Sequence, residues 1–202
     1  MPPRFVARQL SCPAGLPGRI VGRLMNRRNA RMNAFAIRQL DLQPTDSVLE
    51  VGFGGGVTLP ELLGGAAFVA GLDRSRDAVH LAMVRYSRAV QDGRAEFRVG
   101  MVESLPYVSA SFTKACTVNT VYFWKSLDKG FAELFRVLAP GGRLVVGFLP
   151  KQWMDPMGFP ADIFTSRTAE EVTGALSRAG FRRVRIERPE AATPWMAVVA
   201  ER

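Results

Sequence analysis

The sequence predicts a doubly wound α/β fold, in which helices cover both faces of a mostly parallel sheet. Beyond residue 47, short apolar segments alternate with segments of helical periodicity, and this alternation is typical of parallel strands joined by right-handed crossover helices. The length of 202 residues suits a single domain. Two cysteines are too few for a disulfide framework or a four-cysteine zinc site.

The elements follow from the periodicity of the apolar residues. A Pro- and Gly-rich loop is predicted at residues 11–18 and a helix over residues 19–40. Seven strands are predicted at Ser47–Val51, Ala67–Leu72, Ala95–Val99, Lys114–Asn119, Arg143–Leu149, Phe181–Glu187 and Met196–Ala200. Four helices are predicted between them, at Thr58–Leu63, Ser75–Val90, Ser126–Leu138 and Thr168–Ala179. Ser75 is the expected N-cap of its helix, and a turn at residues 140–142 is expected to precede the fifth strand.

The net charge of +9 is concentrated at the N-terminus. Residues 1–40 contain eight arginines and no acidic residue, whereas the rest of the chain is close to neutral. We treat residues 1–40 as a basic arm of one domain that spans residues 1–202. A charge run is usually a solvated helix face, but such an arm also suits an acidic substrate, an anionic membrane surface or RNA.

The sequence contains no targeting or membrane signal that is clear from composition. No segment approaches the ~18–20 apolar residues of a membrane span, and no apolar run follows the first arginines. A cytoplasmic location is therefore expected, and an Arg-rich mitochondrial transit peptide is the alternative.

A glycine-rich segment joins the first predicted strand to its helix. Four glycines fall within five residues, and an acidic residue stands two positions before the first of them. Glu50, Gly52, Gly54 and Gly56 form the pattern E-x-G-x-G-x-G. In a doubly wound sheet, ligands bind at this end of the strands. The dinucleotide pattern G-x-G-x-x-G/A does not fit, because Val57 stands where its last small residue is required.

This spacing resembles motif I of the class I S-adenosylmethionine-dependent methyltransferases, nearest to the small-molecule branch that includes the quinone C-methyltransferases. Further segments match the family in order over about residues 20–202: Gly71–Ser75, Val99–Tyr107, Ser111–Cys116 and Leu138–Leu144. The resemblance implies a Rossmann-like sheet of seven strands with one antiparallel strand. It also implies S-adenosylmethionine as the cofactor.

The resemblance further implies which residues contact the cofactor. The methionine part would lie against Glu50, Gly52, Gly54 and Gly56. Asp73 would accept hydrogen bonds from the ribose, and Asn119 would lie beside the sulfonium. The adenine would be bordered by Arg74, Met101, Val102 and Glu103. The family often has Asp at the position of Met101, and a thioether is a much weaker acceptor than a carboxylate.

Arg28 is a further candidate for cofactor binding. It falls on the apolar arc of the N-terminal helix with Met32 and Phe35, whereas Arg31 and Arg38 fall on a different arc. A buried arginine needs a partner. In the family the helix before the first strand often closes over the site, so the cofactor's carboxylate is the partner that the resemblance implies.

Few side chains are candidates for the transfer step. Asn119, Tyr122 and Tyr107 are the candidate catalytic residues, with packing in the core as the alternative for the aromatic rings. The only histidine, His80, falls within a predicted helix and is interpreted as a solvated residue. The sequence suggests no metal site. The protein has to align the acceptor and exclude water, and needs a general base only if the acceptor arrives protonated.

Residues 150–164 interrupt the alternation of strands and helices. They carry Trp153, Met154, Met157, Phe159 and Phe164, which are predicted to form an apolar lid. The predicted function is therefore methyl transfer by in-line displacement to a small apolar or aromatic acceptor, and nucleic acid is not favoured.

Two alternatives to this function stay open. An RNA methyltransferase would use the basic arm to bind phosphates, but the Asn-Pro-Pro-Tyr type of motif is absent at residues 119–122. A cofactor-binding module without transfer activity is favoured by Met101 and by the lack of an evident base. The basic helix also offers a surface for peripheral membrane contact, and the sequence predicts no oligomeric state.

Overall fold

The computed structural model of the chain describes residues 4–12, 15–189 and 193–202, with all their side chains except those of residues 16–28. Its strands are β1 Ser47–Val51, β2 Phe68–Asp73, β3 Ala95–Val99, β4 Phe112–Val118, β5 Leu138–Phe148, β6 Arg182–Glu187 and β7 Met196–Glu201. They form one sheet in the order β3-β2-β1-β4-β5-β7-β6. β7 runs antiparallel to both of its neighbours. The predicted Rossmann-like sheet with one antiparallel strand is therefore confirmed.

Helices cover both faces of this sheet. They are α1 Arg4–Ser11, α2 Gly15–Leu40, α3 Leu59–Gly65, α4 Arg76–Arg85, α5 Ser87–Gln91, α6 Leu127–Val137, α7 Lys151–Met154 and α8 Ala169–Arg178. Val48 and Val145 belong to the hydrophobic cluster that contains α2 residues, whereas Leu49 and Leu144 belong to the cluster that contains α6 residues. Neighbouring residues alternate in this way because successive side chains of a strand point to opposite faces. Among the described helices, none is long and apolar enough to cross a membrane.

The strand order reverses at β1. This strand pairs in parallel with β2 on one side and with β4 on the other. The chain therefore winds in opposite directions from this point, which leaves a crevice at the carboxyl ends of β1 and β4. Ligands of doubly wound sheets bind in that crevice.

The N-terminal region differs from the prediction. Residues 11–18 were expected to form a loop, but α1 ends at Ser11 and α2 begins at Gly15, with residues 13–14 outside the described residues. Helices as short as α1 are marginal without tertiary contacts. Here Ala7 is buried and Leu10 packs against the core, whereas Arg4 and Arg8 are exposed.

Two further boundaries differ. The helix expected over residues 75–90 is divided at Tyr86 into α4 and α5, although Ser75 caps α4 as predicted by accepting the Ala78 N–H at 3.2 Å. The Tyr86 ring packs 5.9 Å from that of Phe97, and its hydroxyl lies 3.4 Å from the Gly56 carbonyl. β5 begins at Leu138, so the turn expected at residues 140–142 lies within that strand.

The start of α8 provides a stability test. Thr168 accepts the Glu171 N–H at 3.1 Å, and the Glu171 carboxylate accepts the Thr168 N–H at 2.8 Å. Removing such a cap costs about 1 kcal/mol, so Thr168→Ala should lower the free energy of unfolding by about 1 kcal/mol in urea denaturation. Ser177→Ala, an exposed position of the same helix, is the control and should change it by less than about 0.5 kcal/mol. Equal effects of the two variants would contradict the assigned cap.

Candidate functional site

A cavity of about 450 Å³ opens at the carboxyl ends of β1, β2 and β4. This volume falls within the roughly 300–1,000 Å³ of small-molecule sites, and the position is the switch point of the sheet. The cavity walls come from the glycine loop, the strand ends, α1, α2 and the segment after β5. The predicted residues that line it are Glu50, Gly52, Gly54, Asp73, Arg74, Met101, Val102, Glu103, Asn119 and Tyr122.

The backbone conformation of the loop after β1 requires glycine at three positions. Gly52, Gly54 and Gly56 have φ values of 74°, 51° and 66°, which lie in the left-handed region that favours glycine. A Cβ at Gly52 would collide with the Thr120 side chain, and one at Gly56 would lie 2.9 Å from the Leu59 Cδ1 atom. Gly56 is not among the residues that line the cavity. Its role in this structure is to shape the turn.

Glu50 places a buried carboxyl group on the cavity wall. The Thr58 hydroxyl donates to its Oε1 atom at 2.5 Å, whereas Oε2 is buried without a hydrogen-bond partner in the part of the chain that the structure describes. Burial raises the pKa of Glu50 to about 7, and the nearby Asp73 adds to the rise. A buried carboxylate oxygen without a donor is costly. A ligand ammonium group beside Oε2 would remove that cost.

Asp73 is a second buried carboxyl group, at the end of β2. Its Oδ2 accepts the Gly54 N–H at 2.7 Å and its Oδ1 accepts the Ser75 N–H at 2.8 Å. Burial raises the pKa of Asp73, and these backbone donors partly oppose the rise. The two bonds fix the carboxylate at the edge of the glycine loop, where it can accept hydrogen bonds from ligand hydroxyls.

The cavity rim after β3 has one carboxylate. The Oε1 atom of Glu103 accepts the Lys125 N–H at 2.7 Å. Val102 is buried, whereas Met101 and Arg74 are exposed. Met101 therefore presents a polarisable thioether, which packs well against aromatic rings but is a weak hydrogen-bond acceptor.

Asn119 and Tyr122 connect the carboxyl ends of β4 and β5. Asn119 has a φ of 59°, and its N–H donates to the Gly147 carbonyl at 2.8 Å. The Tyr122 hydroxyl accepts the Leu149 N–H at 2.5 Å and lies 3.3 Å from the Asn119 Oδ1 atom. Burial raises the pKa of Tyr122 above its ordinary value, so the phenol stays protonated at neutral pH.

Comparison with known proteins identifies the family. Residues 49–146 match the family described as Methyltransferase domain. YdaC of Bacillus subtilis, an uncharacterized methyltransferase, is 30% identical over 66% of this chain and 72% of its own length. The chain belongs to the class I S-adenosylmethionine-dependent methyltransferases. The predictions of a methyltransferase and of S-adenosylmethionine as its cofactor are therefore confirmed.

One more distant relative is also a methyltransferase, and one solved structure shares the fold. UbiE of Geotalea daltonii, a ubiquinone/menaquinone biosynthesis C-methyltransferase, is 26% identical over 55% of this chain. This methyltransferase chain spans 49% of the length of that relative. A solved methyltransferase from Aquifex aeolicus shares the fold, with a TM-score of 0.66 at 23% identity over 84% of this chain and 88% of that one.

The cavity of the methyltransferase fits its cofactor. The unpaired Oε2 atom of Glu50 suits the ammonium of a methionine group, and the fixed carboxylate of Asp73 suits a ribose diol. Gly52 lines the cavity and has no Cβ, which would collide with the Thr120 side chain, so only backbone atoms of this residue face the ligand space. The residues present thus match a cofactor with a cationic amine, two hydroxyls and an aromatic base.

The structure places Tyr107 outside the cavity lining and His80 on an exposed helix face as predicted, and it does not describe the side chain of Arg28. Tyr107 is not among the cavity-lining residues. Its ring packs against Phe112 at 5.0 Å, and the Arg98 guanidinium lies 4.9 Å from the ring centroid. Arg28 belongs to α2, but its side chain lies outside the described side chains. His80 is exposed on α4. The role of the basic arm and that of Arg28 stay predictions.

The segment after β5 covers the cavity only in part. Met154, Met157, Phe159 and Phe164 line the cavity, and the Phe159 and Phe164 rings stack with centroids 4.3 Å apart. Trp153, which was predicted as part of the lid, is 51% exposed and is not among the lining residues. It lies on the outer side of α7.

The sequence analysis missed the residues that the N-terminal helices contribute. Gln9, Leu10 and Ser11 of α1 line the cavity, as do Asn29 and Asn33 of α2. The two asparagines stand four residues apart and therefore share one helix face. This amide pair was an available signal, and so was the amphipathic pattern of residues 4–11, although a helix as short as α1 also depends on its packing.

The raised pKa of Glu50 predicts how stability varies with pH. Between the ordinary value of 4.5 and about 7, the folded state keeps a proton that the unfolded chain has released. The stability of the ligand-free methyltransferase should therefore fall as the pH rises from about 5 to about 7. In urea denaturation, Glu50→Gln should show a smaller slope of unfolding free energy against pH. Part of the slope should remain in this variant, because the pKa of Asp73 is also raised.

The matched control for this experiment is Glu61→Gln. Glu61 is an exposed glutamate on α3, so the variant should keep the slope of the wild-type protein. A slope that is the same in Glu50→Gln and in the wild type would contradict the burial of an ionisable carboxyl group at this position.

Proposed function

We propose that this methyltransferase methylates a small apolar or aromatic acceptor by in-line displacement. The supporting observation is the division of the cavity wall. Among the described lining residues, the charged ones are Glu50, Asp73, Arg74 and Glu103, all on the side of the glycine loop and of the ends of β2 and β3. The rest of the described lining is uncharged: it includes the apolar and aromatic side chains of Met32, Tyr122, Phe123, Met154, Met157, Phe159, Phe164 and Trp195, together with the amides of Asn29, Asn33 and Asn119. An uncharged wall of this kind favours an uncharged acceptor.

The charged side of the cavity would hold the cofactor. Glu50 would bind its amino group through Oε2, and Asp73 would bind the ribose hydroxyls. Met101 and Val102 would pack against the adenine, with Arg74 and Glu103 at its border. When bound, S-adenosylmethionine supplies an activated methyl group together with its leaving sulfur.

The protein itself would mainly orient the acceptor. Asn119 is held in the left-handed region by its bond to Gly147, and its side chain contacts the Tyr122 hydroxyl. Because burial raises the pKa of Tyr122, this residue would position the acceptor rather than take a proton from it. An acceptor that is already nucleophilic needs no general base.

Helix α1 and the segment after β5 would exclude water from the reaction. The Arg4 side chain forms an ion pair with Asp162, which joins α1 to that segment. Both elements line the cavity. Water exclusion strengthens the electrostatic interactions within a closed site and prevents side reactions.

The role of Glu50 can be tested by cofactor binding. At about pH 8 the Glu50 carboxyl is mostly ionised, since its pKa is about 7. A hydrogen bond to a charged group contributes roughly 1.5–3 kcal/mol. Glu50→Gln should therefore weaken the binding of S-adenosylhomocysteine by about 10- to 100-fold in isothermal titration calorimetry. Glu61→Gln should bind as the wild type does, and a change of less than about twofold in Glu50→Gln would contradict the assignment.

The acceptor class can be tested at Phe159. A screen of uncharged aromatic compounds, with methylated products detected by mass spectrometry, would provide a working acceptor. Phe159→Ala removes part of the apolar wall and should raise the KM of that acceptor by roughly tenfold. Val84→Ala, on the exposed face of α4, should leave the KM unchanged.

Two results would contradict this acceptor class. One is an unchanged KM and kcat in Phe159→Ala. The other is methylation of RNA but of no compound in the screen, with RNA affinity that falls steeply as salt is added.

A further inference from the structure

A second apolar groove adjoins the cavity. The described residues that line it are Leu149, Trp153, Met157, Thr193 and Pro194. Three of these, Leu149, Met157 and Pro194, also line the cavity. The two spaces are therefore neighbours that share a wall, and the groove continues the cavity toward the outer side of α7.

The groove offers apolar surface and no charge. Its described residues include no charged side chain, and the Thr193 hydroxyl already donates to the Trp195 carbonyl at 3.3 Å. Trp153 is 51% exposed and Met157 is 38% exposed. Trp153 and Met157 therefore leave a small apolar surface directly beside the cavity, where an apolar part of a bound molecule can cover it.

The volume of the cavity limits how much of an acceptor it can hold beside the cofactor. S-adenosylmethionine is itself comparable in size to a drug, and ligands of that size occupy pockets of roughly 300–1,000 Å³. A cavity of about 450 Å³ lies toward the lower end of that range, so a bound cofactor of this size takes up much of it. A larger acceptor has to extend beyond the cavity.

We infer that the groove is a subsite for a hydrocarbon tail on the acceptor. The inference rests on the proposed function, because it needs the reacting end of the acceptor to lie among Asn119, Phe159 and Phe164. From there the tail passes Leu149 and Met157 and covers Trp153. The substrate class is then an acceptor with an uncharged head and an apolar chain in one molecule.

A series of 4-n-alkylphenols from ethyl to octyl tests this subsite. Their dissociation constants are measured by equilibrium dialysis with the protein saturated with S-adenosylhomocysteine, so that no transfer occurs. Burial of methylene groups strengthens binding. The dissociation constant should fall about two- to fourfold for each added methylene until the groove is covered.

The variant Trp153→Ser tests the contribution of the groove independently of the cavity. Trp153 lines only the groove of the two spaces, so the variant should lose most of the dependence on chain length. Its affinity for 4-ethylphenol should stay within about twofold of the wild-type value, which also shows that the cavity is intact. The matched control is Val108→Ser, since Val108 is 78% exposed and lines neither space. This control should keep the full dependence on chain length.

The linkage of head and tail is tested with 1-octanol, which has the chain without the ring. It should bind at least about tenfold more weakly than 4-octylphenol. Equal affinities would overturn the inference, because the groove would then be an apolar surface independent of the acceptor site.

Two further outcomes overturn the inference, and they show whether the proposed function fails with it. If 4-ethylphenol binds but chain length has no effect, or if Trp153→Ser keeps the full effect, the tail subsite is wrong and the proposed function stands. If no alkylphenol binds, including 4-ethylphenol, the apolar acceptor compartment is wrong as well, and both proposals fail.

Discussion

The buried carboxyl group of Glu50 is the constraint on which the site depends. It lies on β1, between Gly71 of β2 and Cys116 of β4. Thr58 satisfies one of its oxygens, and the other has no partner among the described residues. Because an unpaired buried carboxylate is costly, the ligand-free protein holds a group whose charge is stabilised only when a cation lies beside it. The cationic amine of the cofactor has that chemistry.

The rest of the cavity is arranged around this group by the topology of the sheet. Parallel strands bring their carboxyl ends to one edge, so the glycine loop and Asp73 lie next to Glu50, while β4 and β5 carry Asn119 and Tyr122 to the other side. The charged lining residues stand on the first side only. This distribution of charge is the basis for proposing that the cavity holds an apolar acceptor beside the charged cofactor, and that the groove beside Trp153 receives a tail of that acceptor.

The sequence predicted the parts of the site that local rules determine. The bounds of β1 and β3 were predicted correctly, and the glycine pattern followed from a turn whose positive φ values favour glycine. Glu50 and Asp73 were assigned through the resemblance to the methyltransferase family, and both line the cavity. The parts that depend on tertiary packing were not predicted. Tyr107 packs against Phe112 instead of lining the cavity, Trp153 lies outside the lid, and α1 exists because its apolar face is buried.

We propose that the cofactor ionises Glu50 when it binds. At about pH 7 this carboxyl group is partly protonated in the free protein, since its pKa is about 7, and a cation beside Oε2 would lower that pKa. Calorimetric titration with S-adenosylhomocysteine, in buffers of different ionisation enthalpy, measures the protons released on binding. The wild-type protein should release a fraction of a proton on binding, and Glu50→Gln should release much less. Binding by the wild-type protein with no proton release near pH 7 would contradict this proposal.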